Sequence, residues 1–96
     1  MALKIVWADE AKEGLEDIIE YLENNWTERE ISRFFLRLEE CIEKIKEVPH
    51  RQKDSLRKPG TKEYQHSSQT TIFYTYDDQV INILRLWTNM KNPSNL

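Results

Sequence analysis

The stretch Gln69-Thr70-Thr71-Ile72-Phe73-Tyr74-Thr75-Tyr76, Asp77-Asp78-Gln79, Val80-Ile81-Asn82-Ile83-Leu84-Arg85-Leu86-Trp87 decides the fold. β-branched and aromatic residues fill both arms and three polar residues part them, so it reads as two antiparallel strands joined by a tight turn. Counted in twos, Val80, Leu84 and Leu86 fall on one face of the second arm, and Ile81, Ile83 and Trp87 on the other. Both faces are apolar, so both are expected to be covered.

Working back from this hairpin, residues 62–66 read as a further short strand. Residues 50–61 are polar, basic and broken by Pro59-Gly60, and read as a loop. Ahead of them lie two helical patterns. In residues 9–24, Ala11, Leu15, Ile18, Ile19 and Leu22 form one apolar stripe, with Asp9, Glu13, Glu16, Asp17 and Glu20 opposite. Asn24-Asn25-Trp26 breaks that pattern. Thr27-Glu28-Arg29-Glu30 then fits a capping box, in which hydroxyl and carboxylate satisfy each other's backbone amides. Ile31, Phe34, Phe35, Leu38, Ile42 and Ile45 carry the second stripe, which Pro49 closes by disfavouring helix at Val48.

Residues 3–7 alternate, with Leu3, Ile5 and Trp7 on one face, and read as a first strand that pairs with a later one. The expected fold is therefore α+β: a helix hairpin on a small, mainly antiparallel sheet, in the order β-α-α-β-β-β. One hairpin covers one face of a sheet. The other face is closed by the loop and tail or is left for a partner.

The chain has 96 residues, 39% of them apolar and 32% charged, which is one folded domain. A single cysteine, Cys41, leaves no disulfide or cysteine metal cluster, and no metal or cofactor is expected. No apolar run approaches the ~20 residues of a membrane span, and Met1-Ala2-Leu3-Lys4-Ile5-Val6-Trp7 reads as too short and strand-like for a signal peptide. The expected compartment is a reducing cytoplasm. The net charge of −3 is unevenly spread. Residues 1–48 hold 7 basic and 13 acidic side chains, whereas residues 49–96 hold 7 basic and 4 acidic. Arg51, Lys53, Arg57, Lys58 and Lys62 cluster in residues 51–62, so an anion-seeking surface is expected there, with a solvated loop as the plainer alternative. The overall acidity argues against strong nucleic-acid binding.

Several groups together resemble the RelE/ParE superfamily of bacterial toxins across residues 4–93. They are Trp7, Ala11, Leu15, Ile18 and Tyr21, the stripe over 34–45 with Pro49, and the Pro59-Gly60-Thr61-Lys62 turn. Ile72-Phe73-Tyr74-Thr75-Tyr76 and Ile83-Leu84-Arg85 complete the set. The ending Leu86-Trp87-Thr88-Asn89-Met90-Lys91-Asn92-Pro93 is similar to a tail that in some members reads Trp-Asp-x-Arg-x-Asn-Pro. The resemblance implies residues 1–96 as one toxin domain of a type II toxin–antitoxin (plasmid stabilisation) module, neutralised by a cognate antitoxin.

The superfamily implies two modes of action. RelE-like members cleave messenger RNA on the ribosome; ParE-like members have no nuclease site and block DNA gyrase. The cleavage needs cations around the scissile phosphate and a tuned acid or base. Of the basic positions that the resemblance assigns, Lys62 is kept, while Tyr64, Thr71 and Met90 stand at the other three. The expectation is therefore a toxin that binds its target without catalysis. The rivals are a nuclease with a rearranged site of Lys62, His66, Arg85 and Lys91, and an inactive binding scaffold. Partner contacts are expected at Arg51, Lys53, Arg57, Lys58, Ile81, Ile83 and Trp87. His66 reads more readily as a surface strand residue than as a base, and Arg85 as salt-bridged. Arg29, Arg33 and Arg37 read as a solvated helix face or as pairing with the first helix. Trp26 reads as a core plug, and Cys41 as a small buried hydrophobe.

Overall fold

A computed structural model describes residues 3–56 and 59–88. Strand β1 (Lys4–Trp7) leads into helices α1 (Asp9–Asn25) and α2 (Glu28–Glu47). A single 3₁₀ turn (Pro49–Arg51) follows, then strands β2 (Lys53–Asp54), β3 (Lys62–Gln65), β4 (Thr70–Tyr76) and β5 (Val80–Thr88). The five strands form one sheet in the order β1-β5-β4-β3-β2. β1 runs parallel to β5 and the other pairs are antiparallel. The expected α+β architecture and element order hold. The difference is the two-residue β2, inside what reads as loop. It pairs Lys53 with Glu63 and Asp54 with Lys62, and two residues are too short to leave an alternation in the sequence.

Each helix begins as its residues dictate. At α2, Thr27 Oγ1 accepts the Glu30 amide at 3.3 Å, and Glu30 Oε1 accepts the Thr27 amide at 3.3 Å. The box satisfies two amides that the first helical turn cannot pair internally. Helix α1 has Ala8 at its N-cap and no side-chain cap. It is pinned instead by its neighbour strand: the Ala8 amide donates to the Ile83 carbonyl at 2.9 Å. Asp9 and Glu10 add negative charge at the positive end of its dipole. Gly14 lets α1 lie close on β5, because a Cβ there would stand 3.1 Å from the Leu86 carbonyl oxygen.

The β4–β5 pairing carries one irregularity. Tyr76, Thr75 and Tyr74 face Ile81, Asn82 and Ile83, but Phe73, Ile72 and Thr71 face Arg85, Leu86 and Trp87. Leu84 has no opposite residue, so the alternation of β5 restarts there. Ile81, Ile83 and Leu86 all join the helix-facing core with Ile72 and Tyr74. Ala11, Ile18, Leu22, Phe34, Leu38, Cys41 and Ile45 complete it from the helix side. The face assignment expected from strict alternation is thus corrected: Leu86 belongs with Ile81 and Ile83, and Arg85 and Trp87 share the other face. A fully buried aliphatic side chain contributes roughly 1.5–3 kcal/mol, so this register is strongly held.

Among the described residues, no helix is long and apolar enough to cross a membrane. Thr27→Ala removes both hydrogen bonds of the Thr27 hydroxyl at an exposed cap and leaves the core untouched. It is expected to cost about 1 kcal/mol, with Thr27→Ser close to wild type, as read by urea denaturation.

Candidate functional site

The cations and histidine suggested by the sequence lie apart. Lys62 is on β3 opposite Tyr74, on the helix side of the sheet, and its Nζ sits 2.8 Å from Asp54 Oδ1. Arg85 is opposite Phe73 on the other face, with Nε 3.7 Å from Glu10 Oε1. Its side chain is half exposed, so this pair is loosely held. Lys91 lies outside the described residues, as do Arg57, Lys58 and Met90.

His66 corrects a reading. It is a buried residue, 2% exposed, just past the end of β3. Its ring packs against Phe34 at a centroid distance of 4.4 Å. Nε2 lies 3.1 Å from the Phe34 carbonyl oxygen, which has only lone pairs to offer, so Nε2 carries the proton. Nδ1 is buried without a hydrogen-bond partner. Burial and the Arg37 charge hold the imidazolium pKa below the usual histidine range, against the opposing pull of the Phe34 carbonyl. Its alternating neighbours Lys62 and Tyr64 gave no sign that the strand would end under α2.

The residues expected to contact a partner also divide. Ile81 and Ile83 are fully buried between sheet and helices, so they are core and not surface, a correction that follows from the helix packing on that side. Trp87 is half-buried on the opposite face. Arg51 is exposed on the 3₁₀ turn. Lys53 is exposed on β2, with Nζ 3.6 Å from Glu63 Oε1.

The sheet face turned away from the helices has an ordered composition. Lys53, Glu63, Phe73 and Arg85 stand in one row across four strands, and Gln65, Thr71 and Trp87 in the next. Thr71 Oγ1 donates to Gln65 Oε1 at 3.3 Å. Phe73 is only 4% exposed, at the centre of this face. Toward β1 the face continues with Val6, which is 39% exposed, opposite Asn82. Cations thus flank an aromatic and aliphatic strip, an arrangement suited to holding a protein surface. Among the described residues this face has no histidine, and its one carboxylate, Glu63, is held by Lys53. No group of three or more metal-ligating side chains occurs among the described residues.

At the α2 end, the arginines depart from the expected solvated stripe. Arg37 Nε donates to the His66 carbonyl, and Arg33 and Arg37 border a cleft of about 220 Å³ together with Trp26, Phe34, His66 and Gln69. Tyr74, fully buried, donates its hydroxyl to the Pro49 carbonyl at 2.6 Å and so ties β4 to the end of α2. Burial pushes its pKa well above the usual tyrosine range. Burial likewise raises that of Cys41, which is a core residue and a poor nucleophile. Trp26 packs against the edge of the core.

A family model described as "ParE toxin of type II toxin-antitoxin system, parDE" matches residues 5–93. No curated protein matches the chain. Among solved structures, the fold is similar to a chain of the chromosomal ParDE toxin–antitoxin system from P. aeruginosa. That match has a TM-score of 0.75 and 14% identity, and covers 91% of this chain and 96% of the other. A YoeB/ParE toxin from Agrobacterium tumefaciens matches with a TM-score of 0.61 and 13% identity over 90% and 98% of the two chains. A chain of the DinJ–YafQ toxin–antitoxin complex of E. coli matches with a TM-score of 0.60 and 7% identity over 97% and 99%.

The state of His66 has a measurable consequence. A lowered folded pKa means that the unfolded chain binds the proton more readily. The stabilisation from neutral His66 is therefore complete above pH 6.5 and is lost as pH falls from 6.5 toward the lowered value. An NMR titration of ring-labelled protein is expected to show His66 as the Nε2–H tautomer, titrating below 6.5, with unfolding free energy falling over the same range.

Proposed function

The chain belongs to the family of ParE toxins of type II toxin–antitoxin systems, and from that membership we propose that it acts in the cytoplasm by binding, with DNA gyrase as its target. A cognate antitoxin neutralises it by covering the surfaces the target needs. The observation that carries this reading is the scatter of the basic and acid–base groups. Lys62 lies on the helix side against Asp54. Arg85 lies on the opposite face against Glu10. His66 is buried with Nε2 held by a carbonyl.

Phosphodiester cleavage by side chains needs an acid or base within about 3 Å of the moving proton and cations converging on one phosphate. Residues on opposite faces of one sheet layer do not converge in that way. Tyr64 and Thr71, at the positions where cleaving members carry cations, are respectively packed against the core and hydrogen-bonded to Gln65. A binding mode needs only complementary surface. The sheet face turned away from the helices supplies Trp87 and Val6 beside Arg85 and Lys53, and α2 supplies an exposed Leu36 among Glu39, Glu40, Glu43 and Lys44. Opposite charges on these two surfaces fit two different contacts, one for the target and one for the antitoxin.

Expression of the chain alone in a bacterial host is expected to arrest growth with filamentation and a DNA-damage response, and the purified protein to inhibit gyrase supercoiling. Lys62→Ala and Arg85→Ala, each breaking a partly exposed ion pair, are expected to change growth arrest by no more than about twofold. Transcripts cut in a translating lysate, with cutting lost in Lys62→Ala, would establish the nuclease instead. Normal growth under full expression would leave an inactive binding scaffold.

A further inference from the structure

One of the residues lining the cleft between α2 and the turn between β3 and β4, His66, has a buried ring nitrogen with no hydrogen-bond partner. His66 is 2% exposed and lines the cleft. Its Nε2 proton is committed to the Phe34 carbonyl at 3.1 Å, so in the neutral ring Nδ1 is a lone pair, buried and unpartnered. A buried acceptor left unpaired is costly, and the cost is recovered when a donor arrives. Two guanidinium groups stand at the same cleft. Arg37 spends Nε on the His66 carbonyl, and among the described residues neither Arg33 nor Arg37 has a carboxylate partner. The one carboxylate there, Glu30, is occupied by the Thr27 capping box. The walls between these groups are the rings of Trp26 and Phe34.

We propose that this cleft seats an acidic segment of a protein partner, whose carboxylate takes Arg33 and Arg37 and whose neighbouring N–H or O–H donates to His66 Nδ1. The proposal rests on the reading that this toxin is bound by a polypeptide. The pairing of needs selects the occupant. A carboxylate alone satisfies the arginines but brings only lone pairs to the Nδ1 lone pair, and so does an unprotonated phosphate of a nucleic acid. A peptide places a backbone amide donor within a few bonds of an acidic side chain and meets both needs at once. The volume of about 220 Å³ suits a side chain with its adjoining peptide group. Arginine forks favour a planar carboxylate, which they hold through two parallel hydrogen bonds.

The test uses the intact chain labelled with ¹⁵N in its histidine rings and three probes: N-acetyl-aspartate N-methylamide, its asparagine counterpart, and inorganic phosphate. The aspartate probe is expected to shift His66 Nδ1 saturably with a roughly millimolar dissociation constant, as befits a ligand of about a dozen heavy atoms. The asparagine probe, and the aspartate probe on Arg33→Gln, are expected to bind at least about fivefold more weakly. Arg33 is exposed on α2, so that variant keeps its fold. No saturable shift of Nδ1 on the order of 50 mM probe overturns the proposal. Equal binding of the two amides also overturns it, since the arginines then play no part. Tighter binding of phosphate replaces the peptide with a nucleic-acid-type anion. A chain that arrests growth yet fails this test loses the cleft and keeps its function; a chain that binds the probe without arresting growth does the reverse.

Discussion

The pairing of β4 with β5, and the single residue by which its register slips at Leu84, is the constraint on which the rest of the molecule depends. It lets Ile81, Ile83 and Leu86 all face the helices although they are not spaced by even steps. On this strand the remaining elements are assembled. β1 lies parallel to its first half, from Lys4 against Val80 to Trp7 against Ile83. Where β1 ends, the Ala8 amide takes the Ile83 carbonyl and α1 passes close over Leu86. A slip of one residue would turn every side chain of a strand to the wrong face. Here a slip placed in mid-strand does so to half of it, and the core is built on the result.

The same register distributes the charge. Arg85 is moved out of the core face and set beside Phe73 and Trp87 on the face turned away from the helices, within reach of Glu10. Lys62 stays on the helix side with Asp54. Among the described residues, the two cations thus point to different surroundings. What is left is a molecule with two chemically distinct surfaces: a sheet face with cations around an apolar strip, and an outer α2 face with carboxylates around Leu36. Such a division fits the proposed function, in which one partner holds the protein and another is its target, since the two contacts need not compete for the same charges.

Much of this was legible in the residues. The capping box at Thr27, the two helical stripes, the turn at Asp77 and the succession of one strand, two helices and the later strands follow from local chemistry, and the structure has each. Asp77 Oδ1 accepts the amides of Gln79 and Val80 at 2.8 and 2.9 Å, as the turn reading requires. The faces of β5 were not legible, because alternation counts parity and a slip in register leaves the composition unchanged. One signal was present: strict alternation would put Arg85 on the face of Ile81 and Ile83, and a lone charge among core residues asks for a break in the count. The burial of His66 depends on where α2 crosses the end of β3, a contact 32 residues distant in the chain, and no local pattern encodes it. β2 was hidden by its length.

The register at Leu84 carries the whole account, and cross-strand nuclear Overhauser contacts between β4 and β5 in solution test it most directly. The account predicts Tyr74 opposite Ile83, and then Phe73 opposite Arg85 and Ile72 opposite Leu86. An unbroken ladder, with Phe73 opposite Leu84 and Ile72 opposite Arg85, would contradict it. Arg85 would then face the helices on the same side as Lys62, and the argument that the cations are kept apart would fall.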